Sequence, residues 1–386
     1  MNLKSVNLKN KRVWLRVDFN VPVDSQGLIS DDTRIMSALP TIKYLLKKGA
    51  KQIILATHFG RPKGQIIDDL RVGFIAKYLE KILKETIWQS KEVAPKEIPN
   101  SAKIAMLENV RFDPGEEKND EKLAKAWAKL ADIYVNDAFG CSHRAHASIV
   151  GIAKLLPSYA GLLLQREIEV LTEVLDHPQK PLTLIIGGAK IDTKIGVLKE
   201  FIHKADNILV GGGIANTFLF AQGFDIGKSL YQEDKLETAQ EIMLSAEVYK
   251  DKFVIPSDAV VASEMNDKAL TLNLPVEDVE GDMKILDIGK TTLMKYLYVI
   301  NKSAMIIWNG PLGLFECECF AKGTKKIAEA LAIAKGKVII GGGETIDALK
   351  RFKIDEKKFY HVSTGGGAML EFLEGRELPG VKALAG

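Results

Sequence analysis

One pattern recurs along the chain. A short β-branched apolar run ends in a polar or glycine cluster, and a stretch with apolar residues at helical spacing follows. In the first half the runs cover 13–17, 53–56, 104–107 and 133–135. In the second half they cover 182–186, 208–210, 253–255, 304–308 and 338–340. Runs this short and this apolar predict strands covered on both faces, as in a parallel sheet. Between them, stretches such as 120–130 set apolar residues at helical spacing against a charged face. The alternation predicts an α/β fold with parallel sheets. So many strands exceed what one compact sheet usually holds, which predicts two lobes. Pro157 breaks the chain near the boundary. Residues 162–175, with Arg166, Glu167, Glu169 and Glu173 and then His177-Pro178, predict a helix bridging the lobes. The expected organisation is a first lobe over 1–157, a connecting helix over 158–180 and a second lobe over 181–370.

In open parallel sheets, ligands bind beyond the carboxyl ends of the strands. In the first half those ends carry cations and hydrogen-bonding groups. They read Asp18-Phe19-Asn20, His58-Phe59-Gly60-Arg61, Glu108-Asn109-Val110-Arg111, and Asn136-Asp137 through His143-Arg144, with Arg34 ahead of an apolar stretch. Arg grips carboxylate and phosphate bidentately, so four of them at successive ends predict a small, strongly anionic ligand. In the second half the ends carry glycine: Gly187-Gly188-Ala189-Lys190, Gly211-Gly212-Gly213, Gly341-Gly342-Gly343-Glu344-Thr345 and Gly365-Gly366-Gly367. Glycine lets backbone N–H groups approach phosphate, and a following helix adds its positive end. Lys190 and Lys194, four apart, are expected on one helical face near such an end. No triplet completes G-x-G-x-x-G and no G-x-x-x-x-G-K-[ST] exists, so a dinucleotide dehydrogenase and a P-loop ATPase are both unsupported.

Composition narrows the field. Lys+Arg number 53 against 50 Asp+Glu, a formal net charge of +3, too small for a chain wrapped on nucleic acid. The three cysteines, Cys141, Cys317 and Cys319, form no disulfide framework and point to a reducing compartment. No run reaches the length of a membrane span, so a cytoplasmic location is expected. Cys141, His143 and His146 could ligate a metal, but Arg144 among them would repel a cation. Cys317-Glu318-Cys319 reads as incidental, and His177, His203 and His361 as packing or surface residues.

At this point longer motifs come together. They are Arg16-Val17-Asp18-Phe19-Asn20-Val21-Pro22, His58-Phe59-Gly60-Arg61-Pro62, Glu108-Asn109-Val110-Arg111-Phe112 and Asp137-Ala138-Phe139-Gly140 with His143-Arg144-Ala145-His146. Further on come Gly187-Gly188-Ala189-Lys190, Trp308-Asn309-Gly310-Pro311-Leu312-Gly313 and Ser363-Thr364-Gly365-Gly366-Gly367. Over nearly its whole length the chain resembles the phosphoglycerate kinase family. The resemblance implies two doubly wound, Rossmann-like lobes joined by a hinge helix, with 371–386 returning to the first lobe. It implies reversible phosphoryl transfer from 1,3-bisphosphoglycerate to ADP, giving 3-phosphoglycerate and ATP with Mg2+, by a monomer acting on neither nucleic acid nor membrane.

Carried over by motif, Asp18, Phe19, Asn20, Arg34, His58, Phe59, Gly60, Arg61, Arg111 and Arg144 are expected at the acid. Lys190, Lys194, Gly211, Gly212, Gly213, Gly342, Gly343, Glu344 and Thr345 are expected at the nucleotide, with Glu316 at its ribose. Arg34, Lys190, Gly343, Gly366 and Gly367 are expected to stabilise the moving group. Glu344 stands where the family usually has Asp, and is the expected magnesium contact, directly or through water. Ile285 replaces an expected glycine and Lys290 an expected proline, which bears on the base pocket. The alternative is another ATP-dependent kinase of a small carboxylic acid.

Overall fold

The computed structural model describes residues 2–247 and 252–385. The chain divides into two compact units, Met1–Glu169 with Glu377–Gly386, and Val170–Arg376.

The first unit is built on six parallel strands: β1 (Arg12–Arg16), β2 (Gln52–Ala56), β3 (Ile87–Gln89), β4 (Ile104–Met106), β5 (Ile133–Asn136) and β6 (Ser158–Ala160). They lie in the order β3-β4-β2-β1-β5-β6. Leu15 of β1 pairs with Leu55 of β2 on one side and Val135 of β5 on the other. Every residue of β2, β4 and β5 is buried, as strands covered by helices on both faces must be. The helix Thr33–Lys47 turns Ile35, Leu39 and Ile42 into this core. The helix Glu121–Ala128 begins where Asp120 accepts the Leu123 N–H at 2.9 Å, a cap worth about 1 kcal/mol.

The second unit holds β7 (Leu182–Ile186), β8 (Asn207–Val210), β9 (Phe253–Val254), β10 (Asp258–Ala262), β11 (Leu272–Pro275), β12 (Lys284–Ile288), β13 (Met305–Asn309), β14 (Lys337–Gly341) and β15 (His361–Val362). Six of them form a parallel sheet in the order β15-β14-β13-β7-β8-β9. Chain order reverses between β7 and β13 here, and between β1 and β5 in the first sheet. These are the places where crevices open at the carboxyl ends of strands.

All nine apolar runs are strands. The all-parallel expectation needs a correction, because β11-β10-β12 form a separate antiparallel sheet. Its edge strand β11 is mostly exposed, so it carries no continuous apolar run. The three further parallel strands β3, β6 and β15 are only two or three residues long, too short for periodicity to register.

The helix Leu162–Asp176 runs across the division, with 162–169 in the first unit and 170–176 in the second. The helix Gly366–Leu373 stays in the second unit, and the returning segment begins at Glu377. There the Gly380 N–H donates to the Ser142 carbonyl at 2.8 Å, and a Cβ on Gly380 would lie 2.9 Å from Ser142 Cα. No helix among the described residues is long and apolar enough to cross a membrane.

Candidate functional site

In the first unit the expected cations meet around His58. The ring is buried just beyond the end of β2, and its nearest polar neighbours come from the ends of β1 and β5. Arg16 Nη2 lies 3.3 Å from His58 Nδ1, Cys141 Sγ 3.8 Å and Asp18 Oδ1 3.9 Å. Burial, followed by the charges of Arg16, Arg111, Arg34 and Arg144, holds the ring well below its usual pKa. Four guanidinium groups therefore act on one buried imidazole. Arg34 Nη1 donates to Asp18 Oδ2 at 2.9 Å, and Arg111 Nη1 donates to the Gly60 carbonyl at 2.9 Å. Asn20 Oδ1 accepts the Gly60 N–H at 2.9 Å. Arg144 is half-buried, its Nε 3.1 Å from His143 Nε2. Arg61 stands exposed beside Gly60. Phe19 and Phe59 turn their rings into the core and offer only main chain here. Positive charge with few carboxylates and little water is the environment an anion of several charges needs.

Three supporting residues, Asn109, Arg16 and Ser148, were not among the expected site residues. Asn109 Oδ1 accepts the N–H groups of Phe59 (3.2 Å) and Arg111 (3.1 Å), while its Nδ2 donates to the Phe59 and Leu70 carbonyls. It thereby ties two strand-end loops together. Arg16 is fully buried and held by Ser148, whose hydroxyl in turn meets buried Glu116. The available clue was an arginine inside a run otherwise fit for burial on both faces, since a buried charge needs partners.

In the second unit the glycine turns gather at the β7/β13 reversal. The Gly188 N–H donates to the Pro311 carbonyl and the Gly212 N–H to the Leu312 carbonyl. Three of these turns open helices directly: Gly212–Ala221, Gly343–Arg351 and Gly366–Leu373. Gly342 has φ +96°, and a Cβ on Gly366 would sit 3.4 Å from Gly342 Cα, so two positive helix starts lie side by side. At Gly213 a Cβ would be 2.4 Å from the Ala189 carbonyl oxygen. A cavity of about 540 Å³ adjoins them, lined by Gly188, Gly212, Gly213, Pro311, Glu316 and Glu344, with Ile285, Leu286, Leu314 and Met265 as its apolar part. Gly211 packs against Leu312 instead. Thr345 is fully buried, and its hydroxyl accepts the Gly310 N–H at 2.7 Å, bracing the turn from beneath.

The two lysines differ from expectation. The helix starts only at Ile195, so Lys190 and Lys194 precede it and share no helical face. Lys194 is half-buried and donates from Nζ to Asn309 Oδ1. Desolvation brings its pKa down to about 8, against the opposing pull of the Glu344 carboxylate. Lys190 lies exposed in the loop after Gly188-Ala189. The expected departures also have structural sequels. Ile285 lines the cavity, and the Lys290 N–H donates to Asn273 Oδ1 at 2.8 Å, which a proline could not do.

Two metal readings can be compared. Asp18, His58 and Cys141 place ligand atoms within 4.8 Å of one another. The surrounding arginines, and a thiol whose pKa burial pushes up to about 11, make this a poor cation site. Glu344 fits better. A Cβ on Gly188 would lie 3.6 Å from its Oε2, so the carboxylate faces the Gly187-Gly188 turn, and one hard oxygen ligand suits magnesium that keeps waters and phosphates as its other ligands. Cys317 and Cys319 donate to the Met265 and Asn266 carbonyls at 3.7 and 3.4 Å, fastening the loop that bears Met265.

A model of the family described as phosphoglycerate kinase matches residues 3–376. Among solved structures, that of phosphoglycerate kinase from Coxiella burnetii is 40% identical, with 100% of this chain and 98% of that chain covered and a TM-score of 0.91. Phosphoglycerate kinase from Pyrococcus horikoshii OT3 is 33% identical over 100% of this chain and 98% of that chain, with a TM-score of 0.84.

Proposed function

The chain belongs to the phosphoglycerate kinase family, and from that premise we propose how its residues divide the work. It is a phosphotransferase that moves a phosphoryl group reversibly between 1,3-bisphosphoglycerate and ADP, giving 3-phosphoglycerate and ATP. The observation that carries the division is electrostatic. One unit gathers guanidinium groups around His58, and the other gathers glycine-borne helix starts and Lys194 beside a cavity.

The acid is held by Asp18, Asn20, Arg34, His58, Arg61, Arg111 and Arg144, with Gly60 supplying backbone. Arg34 sits at the solvent side of this group, 37% exposed and aligned by Asp18, where it can follow the transferring oxygens. The nucleotide takes Gly212 and Gly213 on its base side, Glu316 at the ribose, and Lys194 with the Gly342–Gly343 turn at its phosphates. Lys190, exposed and on a loop, and the N–H groups of Gly343, Gly366 and Gly367 meet charge on the equatorial oxygens. The transition state of such transfers is loose, so positioning and charge stabilisation suffice and no covalent intermediate forms. Magnesium, with Glu344 as its protein-side carboxylate, would neutralise phosphate charge. Because acid and nucleotide each belong to one unit, closure of the units on their ligands would keep water from the acyl phosphate. A cytoplasmic monomer completes the reading.

The test is a coupled assay with 3-phosphoglycerate and ATP, run with and without magnesium. Magnesium-dependent consumption of both substrates is expected. Inert 3-phosphoglycerate, with another small carboxylic acid phosphorylated instead, would turn the reading to the alternative kinase.

A further inference from the structure

We propose that Arg16 is a positioning residue that holds His58 as the neutral, Nε2-protonated ring, so that His58 offers the acid a donor of fixed direction. This deepens the reading above and rests on it for the identity of the acid.

Arg16 is 0% exposed, so its guanidinium does not itself reach a bound ligand. All three of its nitrogens are engaged. Nε donates to Ser148 Oγ at 2.8 Å, Nη1 to the Val17 carbonyl, and Nη2 points to His58 Nδ1 at 3.3 Å and Cys141 Sγ at 3.9 Å. Ser148 is locked in turn. Its hydroxyl donates to Glu116 Oε1 at 2.5 Å and its N–H to Glu116 Oε2 at 2.8 Å. The one hydroxyl proton is therefore spent on the carboxylate, and the lone pairs face Arg16.

A guanidinium has donors and no acceptor, so His58 Nδ1 must be the acceptor in this contact. An imidazole accepting at Nδ1 carries its proton on Nε2. The rival arrangement, Nδ1–H donated to Asp18, is poorer. Asp18 Oδ1 lies 3.9 Å away, and the Asp18 carboxylate already accepts from Arg34 at 2.9 Å and from the Asn20 N–H at 3.3 Å. The charged and titratable groups acting on the ring are Arg16, Arg34, Arg111, Arg144, Asp18 and Cys141. Four cations outweigh the one carboxylate, and the thiol stays protonated, so together with burial they disfavour a second proton on the ring. The ring then contributes a hydrogen bond to the acid and no charge, and acid affinity does not follow a histidine titration.

The test uses the full-length chain labelled with ¹⁵N in its histidine rings. His58 is assigned by the signal lost in His58→Gln. In the wild type, Nδ1 is expected at a pyridine-type shift and Nε2 at a pyrrole-type shift, both unchanged from about pH 6 to 8. Arg16→Met is expected to give mixed tautomers and a titration inside that window. Its KM for 3-phosphoglycerate should rise roughly tenfold while kcat moves by less than about twofold, as for one lost hydrogen bond. Arg16→Lys, still a donor-only cation, should restore the wild-type ring signals. If Arg16→Met does not fold, Ser148→Ala, which frees Arg16 Nε, should show the same mixture in weaker form. A wild-type ring protonated on Nδ1, or on both nitrogens, overturns the proposal. So does a folded Arg16→Met or Ser148→Ala chain whose His58 signals match the wild type. The spectrum needs no turnover, so failure of the kinase assay would remove the functional reading and leave the tautomer result to stand on its own.

Discussion

Lys194 has traded solvent for a place under the phosphate turn, and its proton affinity has fallen to match. With a pKa of about 8 its charge is present at neutral pH and disappears as pH rises through that value. We expect kcat/KM for ADP, which reports the free enzyme, to fall above about pH 8. Lys194→Arg should abolish that inflection, and its persistence would clear Lys194 of the role. Arg34→Ala and Lys190→Ala are each expected to lower kcat by about 10² or more, like other lost donors to developing charge. Near-normal turnover in either folded variant would remove that residue from the mechanism. At this scale the sequence exposed those groups whose chemistry is unusual for their position. Arg111 and Arg144 stood at strand ends and Arg34 ahead of an apolar stretch, and with Arg16 their charges act together on the His58 ring. Asn109 and Ser148 did not, because a polar residue that braces others looks like any loop residue until its partners, far away in sequence, are known.

The buried strands were legible because they depend on local pattern. The β13 run is apolar throughout and the β7 run is apolar but for Thr183, and both strands are wholly buried. The antiparallel sheet was not, since its edge strand β11 exposes most of its residues and so shows no apolar run to mark it. Lys190 and Lys194 were placed on a helix because spacing alone cannot tell a helix from the turn before it. Gly342→Ala tests the phosphate turn as an element. At φ +96° a side chain is strained, and a loss of ~1–3 kcal/mol in unfolding free energy is expected. Denaturant unfolding measures it, and no loss would mean that the turn relaxes freely. Asp287 tests another. It is buried, accepts the N–H groups of Gly323 and Ile288, and has its pKa pushed up to about 7 by desolvation. The folded chain thus keeps a proton that the unfolded chain releases near pH 4. Stability from this group is full below that pH and is lost as pH rises through about 7. Asp287→Asn should therefore flatten the change of Tm between about pH 5 and 8, and an unaltered slope would assign that dependence elsewhere.

For the molecule as a whole, the proposed division of the two ligands between the two units predicts two independent footprints. Saturating 3-phosphoglycerate should slow amide exchange at the ends of β1, β2, β4 and β5, and ADP should do so around 187–194, 211–213 and 342–345. At about 100 times Kd, each adds about 2.7 kcal/mol to the stability of what it binds. Acid-induced protection confined to the second unit would reverse the assignment of roles. The two-unit plan could be read from strand number and the charge contrast between halves. The exact residue at which the chain changes units could not, because Leu162–Asp176, on the stretch expected to bridge the lobes, is one unbroken helix with no local sign of the division at 169/170.

The segment Glu377–Gly386 belongs to the first unit although the entire second unit is translated before it. On the ribosome, the loop carrying Ser142, next to Cys141 and the His58 ring, must therefore wait for its Gly380 partner until 237 intervening residues have been made. A product cut short before that point would leave Ser142 without the Gly380 N–H, so synthesis of the returning segment is coupled to maturation of the arginine cluster.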